Sequence, residues 1–260
     1  MESLLEIKNL SIEYKSINQG DTSIVKAVND VSLKIYKGEI YALAGESGCG
    51  KSTLAKAITK LVMPQSGDIC FEGNSILKHT KDAKKNYPLD VQMVFQNPYS
   101  SLNPKMKICE ILTEPLDINT KLKKSEKEAV VEEVLADVGL QSSCLQLYPH
   151  EFSGGQRQRI AIARALILKP KFLIADEPVS ALDASIQAQI INLLKELKLK
   201  RDLTILFISH DMNVIKYLAD RVGVMYFGAL VEEGYTSTIF KYPQHEYTKT
   251  LLAAVPKLIT

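Results

Sequence analysis

The chain has 260 residues, 46% of them hydrophobic, enough to bury a sizeable core as one large domain or as a domain carrying an inserted lobe. Its formal net charge of +2 is nearly balanced, so bulk electrostatics give no reason to expect a nucleic-acid partner or adsorption to a charged membrane surface. The apolar runs are strand-sized, far short of the roughly 20 residues that cross a bilayer. The N-terminus, Met1-Glu2-Ser3-Leu4, lacks the basic start of a signal peptide, and a cytosolic chain is expected. Cys49, Cys70, Cys109 and Cys144 form no Cys-x-x-Cys pair and read as isolated reduced thiols.

Residues 4–12 and 27–35 alternate apolar and polar side chains, with a turn-like Asn18-Gln19-Gly20-Asp21 between them. This predicts antiparallel sheet beside the core. Residues 40–44 form a short apolar run that ends in a glycine-rich loop, and a helix-compatible segment follows it to near Pro64. The alternating run 91–95 ends at Gln96. The pattern from Asn97 to Pro170 is mainly helical. Within it Ser125-Glu126-Lys127-Glu128 has capping-box spacing, followed by Val130, Val131, Val134, Leu135 and Val138 on one face, with the charges of 121–133 as the wet face. Residues 172–175 run into Asp176 and Glu177, 203–208 into Ser209 and His210, and 222–226 into Phe227 and Gly228. The 172 and 203 runs are almost continuously apolar, as in strands covered on both faces. Strand–helix alternation predicts an α/β fold with a mostly parallel sheet, in which ligands bind beyond the carboxyl ends of the strands.

The loop Gly45-Glu46-Ser47-Gly48-Cys49-Gly50-Lys51-Ser52-Thr53 lies between a predicted strand and a helix, the setting of a phosphate-binding loop. Its glycines let the backbone curl so that N–H groups and the helix N-terminus face phosphate oxygens. Lys51 is placed to bridge the β- and γ-phosphates and Ser52 to ligate Mg²⁺. Cys49 lies inside the loop, so a thiol reagent there would obstruct nucleotide. Asp176 is placed to hold Mg²⁺ through its water shell, Glu177 to polarise the attacking water as general base, and His210 to reach the γ-phosphate. His79, His150 and His245 have no comparable context, and no His/Cys spacing suggests zinc. A second glycine-rich segment, Phe152-Ser153-Gly154-Gly155-Gln156, lies far from the first. Two such segments in one chain suggest two copies closing over shared nucleotides.

This ordered set resembles the ATP-binding subunits of ABC transporters, over nearly the whole chain. The resemblance implies a P-loop NTPase (RecA-like) core with an N-terminal antiparallel β subdomain and an inserted α-helical subdomain. The nucleotide-binding domain would span residues 1–236, with the helical insert at about 97–170 and a short tail at 237–260. It implies ATP and Mg²⁺ as cofactors and contact of Gly45, Glu46, Ser47, Gly48, Cys49, Gly50, Lys51, Ser52 and Thr53 with ATP. Gln96 takes the place of the Q-loop glutamine, a catalytic residue and magnesium ligand, and Asp183 that of the D-loop aspartate. Ser153, Gly154, Gly155 and Gln156 form the signature that meets ATP on the partner subunit, and Phe152 replaces its commoner leucine. Tyr14, after the first strand pattern, is the candidate ring against adenine.

A narrower resemblance lies in Phe95-Gln96-Asn97-Pro98-Tyr99-Ser100-Ser101-Leu102-Asn103-Pro104, in Tyr148-Pro149-His150-Glu151-Phe152-Ser153 and in His245-Glu246-Tyr247-Thr248. These look like the F-type ATPase of the oligopeptide/dipeptide/nickel importer subfamily. Glu246 departs from it, standing where that subfamily usually has proline. The resemblance implies a D-type ATPase as heterodimer partner, two membrane-spanning permease subunits, an extracytoplasmic substrate-binding protein and a peripheral place on the cytoplasmic face of the membrane. The implied function is ATP hydrolysis that energises peptide uptake. The alternatives are a nickel importer ATPase and a soluble accessory ATPase of a phosphonate carbon–phosphorus lyase system.

Overall fold

Alternating apolar residues build the first sheet of the computed structural model, which describes residues 2–18, 21–78, 87–97 and 101–254, with the backbone alone at 15–18 and 21–23. The middle of the expected 18–21 turn, His79, positions 98–100 and the last residues of the tail lie outside the described residues. The chain forms two units, Met1–Tyr87 with Thr204–Thr260, and Pro88–Leu203.

The first unit opens with β1 (Ser3–Asn18) and β2 (Asp21–Tyr36), an antiparallel pair longer than the alternation predicts. Leu5, Ile7, Leu10 and Ile12 are buried, and the change of parity after Ile7 coincides with a break in register where Asn9 has φ +45°. The Asn9 amide donates to the Asp30 carboxylate at 2.9 Å across this bulge. β3 (Ile40–Ala44) matches its predicted bounds and is buried at every position. Helix α1 (Lys51–Ile58) stops well short of Pro64. Lys60 takes φ +60°, the Leu61 N–H donates to the Lys56 carbonyl at 2.8 Å and the Lys60 N–H to the Ala57 carbonyl at 3.0 Å. This is a Schellman ending built on lysine in the position glycine usually fills, so its sequence signal is missing. β4 (Ser66–Phe71) and β5 (Asn74–Ser75) complete a sheet of order β2-β1-β4-β5.

The second unit pairs β6 (Val91–Val94) in parallel with β7 (Phe172–Asp176), Val94 beside Ala175. Between them come α2 (Ile108–Asn119), α3 (Lys124–Asp137) and α4 (Gly154–Leu166), and α5 (Ala184–Lys200) follows β7. The expected capping box at Ser125 and Glu128 is displaced. The N-cap is Lys123, whose N–H donates to Glu126 at 2.6 Å. The earlier start gains helical hydrogen bonds, the Lys127 N–H to the Lys123 carbonyl among them at 3.0 Å, while Glu126 does the work foreseen for Glu128. Val131, Val134, Leu135 and Val138 are buried and Val130 half-buried. The 121–133 charges are mainly exposed, though Lys127 pairs with Asp117, and Glu133 with Lys169 at 3.1 Å and Arg201 at 3.2 Å.

The chain then returns to the first unit with β8 (Thr204–Ile208), α6 (Met212–Leu218), β9 (Arg221–Tyr226), β10 (Ala229–Tyr235), α7 (Thr236–Lys241) and α8 (Glu246–Ala253). β3 runs parallel to both β8 and β9, and β10 is antiparallel to β9. Among the described residues no helix is long and apolar enough to cross a membrane.

In the second unit Asp137 closes α3 with its carboxylate buried against Lys200 and Arg201. Burial alone raises its pKa, but the hydrogen bonds from Lys200 and Arg201 outweigh that and hold it below the usual carboxylate range. Arg201→Ala is expected to cost about 2 kcal/mol, between an exposed pair and a fully buried one, because Lys200 still donates. A folded pKa below the unfolded one stabilises above about pH 4 and the gain is lost as pH falls through the folded value. Melting curves from pH 7 to 3 should therefore show wild type and Arg201→Ala converging at the acid end.

Candidate functional site

The phosphate-loop residues lie in the first unit. Gly50 caps α1 with φ +108°, and a methyl group on it would sit 2.0 Å from the Ala27 carbonyl oxygen of β2. Gly45 has φ +143°, and a methyl there would sit 2.3 Å from the Met225 carbonyl oxygen of β9. Only glycine satisfies both the backbone angle and the space at these two positions. Lys51 is buried, and its ammonium donates to the carbonyls of Gly45 at 2.7 Å and Glu46 at 2.8 Å. The Cys49 N–H donates to the Glu46 carbonyl at 3.3 Å, and the Gly228 N–H to the Cys49 carbonyl at 3.0 Å. The Cys49 thiol is buried, 3.7 Å from the Lys51 ammonium. Glu46, Ser47 and Gly48 are exposed at the loop tip, and Ser52 and Thr53 are half-buried in the first turn of α1.

Register brings two further residues to this end of the unit. β8 pairs Ile208 with Leu43, so His210 leaves the sheet where the loop begins, and it is exposed. Tyr14 lies opposite Val25, two positions along β2 from Ala27, with 43% of its surface open. One contact has no counterpart in the sequence reading. The Glu46 N–H donates to the Tyr247 hydroxyl of α8 at 3.0 Å. Nothing in the run from His245 points to Glu46 as its partner.

The carboxylate pair lies in the second unit. Asp176 ends β7 buried, and Glu177 turns away from the strand with φ +45°, immediately before Pro178. A side-chain-bearing residue in this left-handed region costs about 1–3 kcal/mol unless its surroundings impose it. Here the Ser180 N–H and hydroxyl both donate to the Glu177 carbonyl, at 3.3 Å and 3.1 Å. The Gln96 amide donates to the Glu177 carboxylate at 2.8 Å, so the Q-loop and the predicted general base are joined directly. The Gln96 amide oxygen is the atom suited to a cation.

Ser153 caps α4 by accepting from the Gln156 N–H at 3.4 Å, and the Gln156 side chain accepts from the Ser153 N–H at 3.0 Å. This reciprocal box engages the N–H groups of Ser153 and Gln156, with Gly154 and Gly155 in the first turn between them. Asp183 caps α5, accepting from the Ile186 N–H at 3.0 Å. A methyl on Gly155 would sit 2.4 Å from Ile186 Cγ2, and one on Gly154 would sit 3.3 Å from Leu182. The signature glycines therefore let α4 lie against the start of α5. Phe152 is buried, as an apolar replacement for leucine should be.

The loop suits phosphates through its close backbone, helix start and buried ammonium. Ser52 in the first unit and Asp176 in the second each carry oxygen donors of the hard kind that suits magnesium.

Residues 28–180 match the family described as ABC transporter. The chain is 50% identical to the oligopeptide transport ATP-binding protein OppF of Bacillus subtilis over 260 residues, covering 98% of this chain and 83% of that one. It is 49% identical to the dipeptide transport ATP-binding protein DppF of Escherichia coli over 235 residues, 90% of this chain and 70% of that one. Among solved structures it resembles cbiO1 of Clostridium perfringens, part of an ABC transporter complex, with a TM-score of 0.80 at 28% identity over 93% of this chain and 92% of that one. A dimeric ATP-binding cassette in a post-hydrolysis state with ADP and Pi aligns with a TM-score of 0.78 at 29% identity, over 89% of this chain and 98% of that one.

Gly155→Ala should improve the intrinsic helix propensity of α4 yet lower stability by about 1–3 kcal/mol, the usual cost of overpacking. Thermal melts of Gly155→Ala and of the double variant with Ile186→Ala test this. The second change removes the obstructing methyl, and failure to recover any of the loss would refute the contact.

Proposed function

The chain belongs to the ABC transporter family, and on that premise we propose that it is the ATP-hydrolysing subunit of an importer for oligopeptides or dipeptides. The observation that carries the peptide reading is the near-50% identity to peptide-transport ATP-binding proteins along almost the entire chain. In this reading residues 1–236 form the nucleotide-binding domain, 97–170 its helical insert and 237–260 a short tail. Two membrane-spanning permease subunits and a D-type ATPase complete the transporter at the cytoplasmic face, and an extracytoplasmic binding protein delivers the peptide.

The loop N–H groups from Gly48 to Thr53 bind the β- and γ-phosphates, and Lys51 neutralises their charge. Glu177 accepts the proton of the attacking water as its oxygen bonds to the γ-phosphorus and the bond to the ADP oxygen breaks. Gln96 orients the Glu177 carboxylate through the hydrogen bond between them. His210 contacts the γ-phosphate, and Tyr14 stacks on adenine. Ser52, Gln96 and Asp176 would hold magnesium, which would supply screening of the phosphate charge. Ser153, Gly154, Gly155, Gln156 and Asp183 serve the ATP of the partner ATPase. ATP thus joins two subunits, and loss of the γ-phosphate releases them. The motion passes through Gln96 and the helical insert to the permeases.

Affinity purification of the tagged, detergent-solubilised complex from native cells, followed by mass spectrometry, tests the assignment. Two permeases and a second ATPase are expected. Recovery with soluble enzymes alone would overturn transport. In the assembled complex Glu177→Gln should retain ATP binding and lose at least about 10²-fold in turnover, the lower end of a general-base effect. Near-normal steady-state hydrolysis would remove Glu177 from its role. Lys51→Ala should weaken ATP binding itself, and unchanged affinity in a direct titration would contradict the loop assignment.

A further inference from the structure

The backbone of Glu46 is the point on which the phosphate loop closes. Its carbonyl accepts from the Lys51 ammonium at 2.8 Å and from the Cys49 N–H at 3.3 Å. The Glu46 N–H, in the preceding peptide unit, donates to the Tyr247 hydroxyl at 3.0 Å.

Tyr247 is itself held from several sides. Its ring stacks on Tyr226 with centroids 4.0 Å apart at 27°, and only 9% of its surface is open. Tyr226 ends β9 one residue after Met225, whose carbonyl lies against Gly45. The backbone of α8 is anchored in turn. The N–H groups of Gln244 and His245 donate to the Glu232 carboxylate of β10 at 2.8 Å and 3.0 Å, and His245 Nδ1 accepts from the Tyr247 N–H at 3.1 Å. Burial raises the pKa of the Tyr247 phenol further from neutrality, so the contact does not titrate near pH 7. The hydroxyl therefore sits at the end of a rigid support.

We infer that Tyr247 is a positioning residue of the nucleotide site: from the C-terminal helix it fixes the Glu46 backbone, and with it the entry to the phosphate loop, before nucleotide arrives. The inference rests on the reading of residues 45–53 as the nucleotide loop. Its physical content is preorganisation. A loop held at Glu46 has less freedom to lose when phosphate binds, so affinity is higher without any contact between Tyr247 and the nucleotide. It also assigns a task to the 237–260 segment that family resemblance leaves as a tail.

Tyr247→Phe keeps the stacked ring and removes only the oxygen. In the full chain without nucleotide, amide hydrogen exchange of a peptide covering 45–50 should be about tenfold faster in the variant, with peptides from β1 and α4 unchanged. Direct ATP titration should show a three- to tenfold weaker Kd, the effect of one net hydrogen bond. In the assembled complex KM for ATP should rise in step with Kd, and kcat should fall by less. Wild-type exchange at 45–50 together with wild-type Kd would overturn the inference. Lys51→Ala, measured alongside, separates the two claims. If it too binds ATP normally, the loop reading fails, whereas the exchange result without nucleotide reports on the Tyr247 contact alone.

Discussion

The approach of Gly50 to the Ala27 carbonyl and of Gly45 to the Met225 carbonyl constrains everything else at this end of the first unit. A loop pressed between two backbones cannot shift without β2 or β9 shifting too. That fixes the curl in which Lys51 reaches back to the Gly45 and Glu46 carbonyls and α1 begins. The hydrogen bonds to both carbonyls offset part of the cost of burying the ammonium. β3 supplies the rest of the frame. Buried at every position and flanked in parallel on both sides, it delivers the chain to Gly45 at a defined height.

The polar residues beyond the strands serve structure as well as chemistry. Ser153 caps α4, Asp183 caps α5, and Asp211, next to His210, caps α6 by accepting from Asn213 and Val214. Each helix start is therefore stabilised by a side chain within or beside a functional motif. Removing one of these caps costs typically about 1 kcal/mol, so a loss of activity at such a position mixes chemistry with folding. Glu177 and Gln96 differ, since their mutual contact joins two strand ends and caps no helix. Changes there disturb no helix cap.

Much of this was legible in the sequence, because the signals were local and redundant. Residues 40–44 announce a covered strand by being apolar throughout, and the glycines of 45–50 announce a loop that must come close to other backbones. Gln96 and Glu177 were both nameable, but their hydrogen bond was not, because it depends on the parallel register of Val94 with Ala175. The end of α1 was illegible for another reason. Lys60 does the work of a glycine, and sequence patterns carry the residue type without the backbone angle. The start of α3 was misplaced because Glu126 and Glu128 offer equivalent carboxylates two residues apart. The Glu46–Tyr247 contact spans 201 positions, and neither residue's immediate neighbours point to the other.

Position 246 shows how a helix start can change its thermodynamic character without changing place. Glu246 is the first residue of α8 and pairs with Lys249 at 2.7 Å. A proline there would suit the same position, since its ring sets φ in the unfolded chain as well as the folded one and no N–H is needed. Glutamate leaves that angle free until folding and favours the start through the helix dipole and an exposed ion pair. The segment that carries Tyr247 thus begins on an electrostatic footing in place of a covalent one. That electrostatic contribution is screened over about 8–10 Å at physiological salt, while the Glu232 and Tyr226 contacts keep the segment in place.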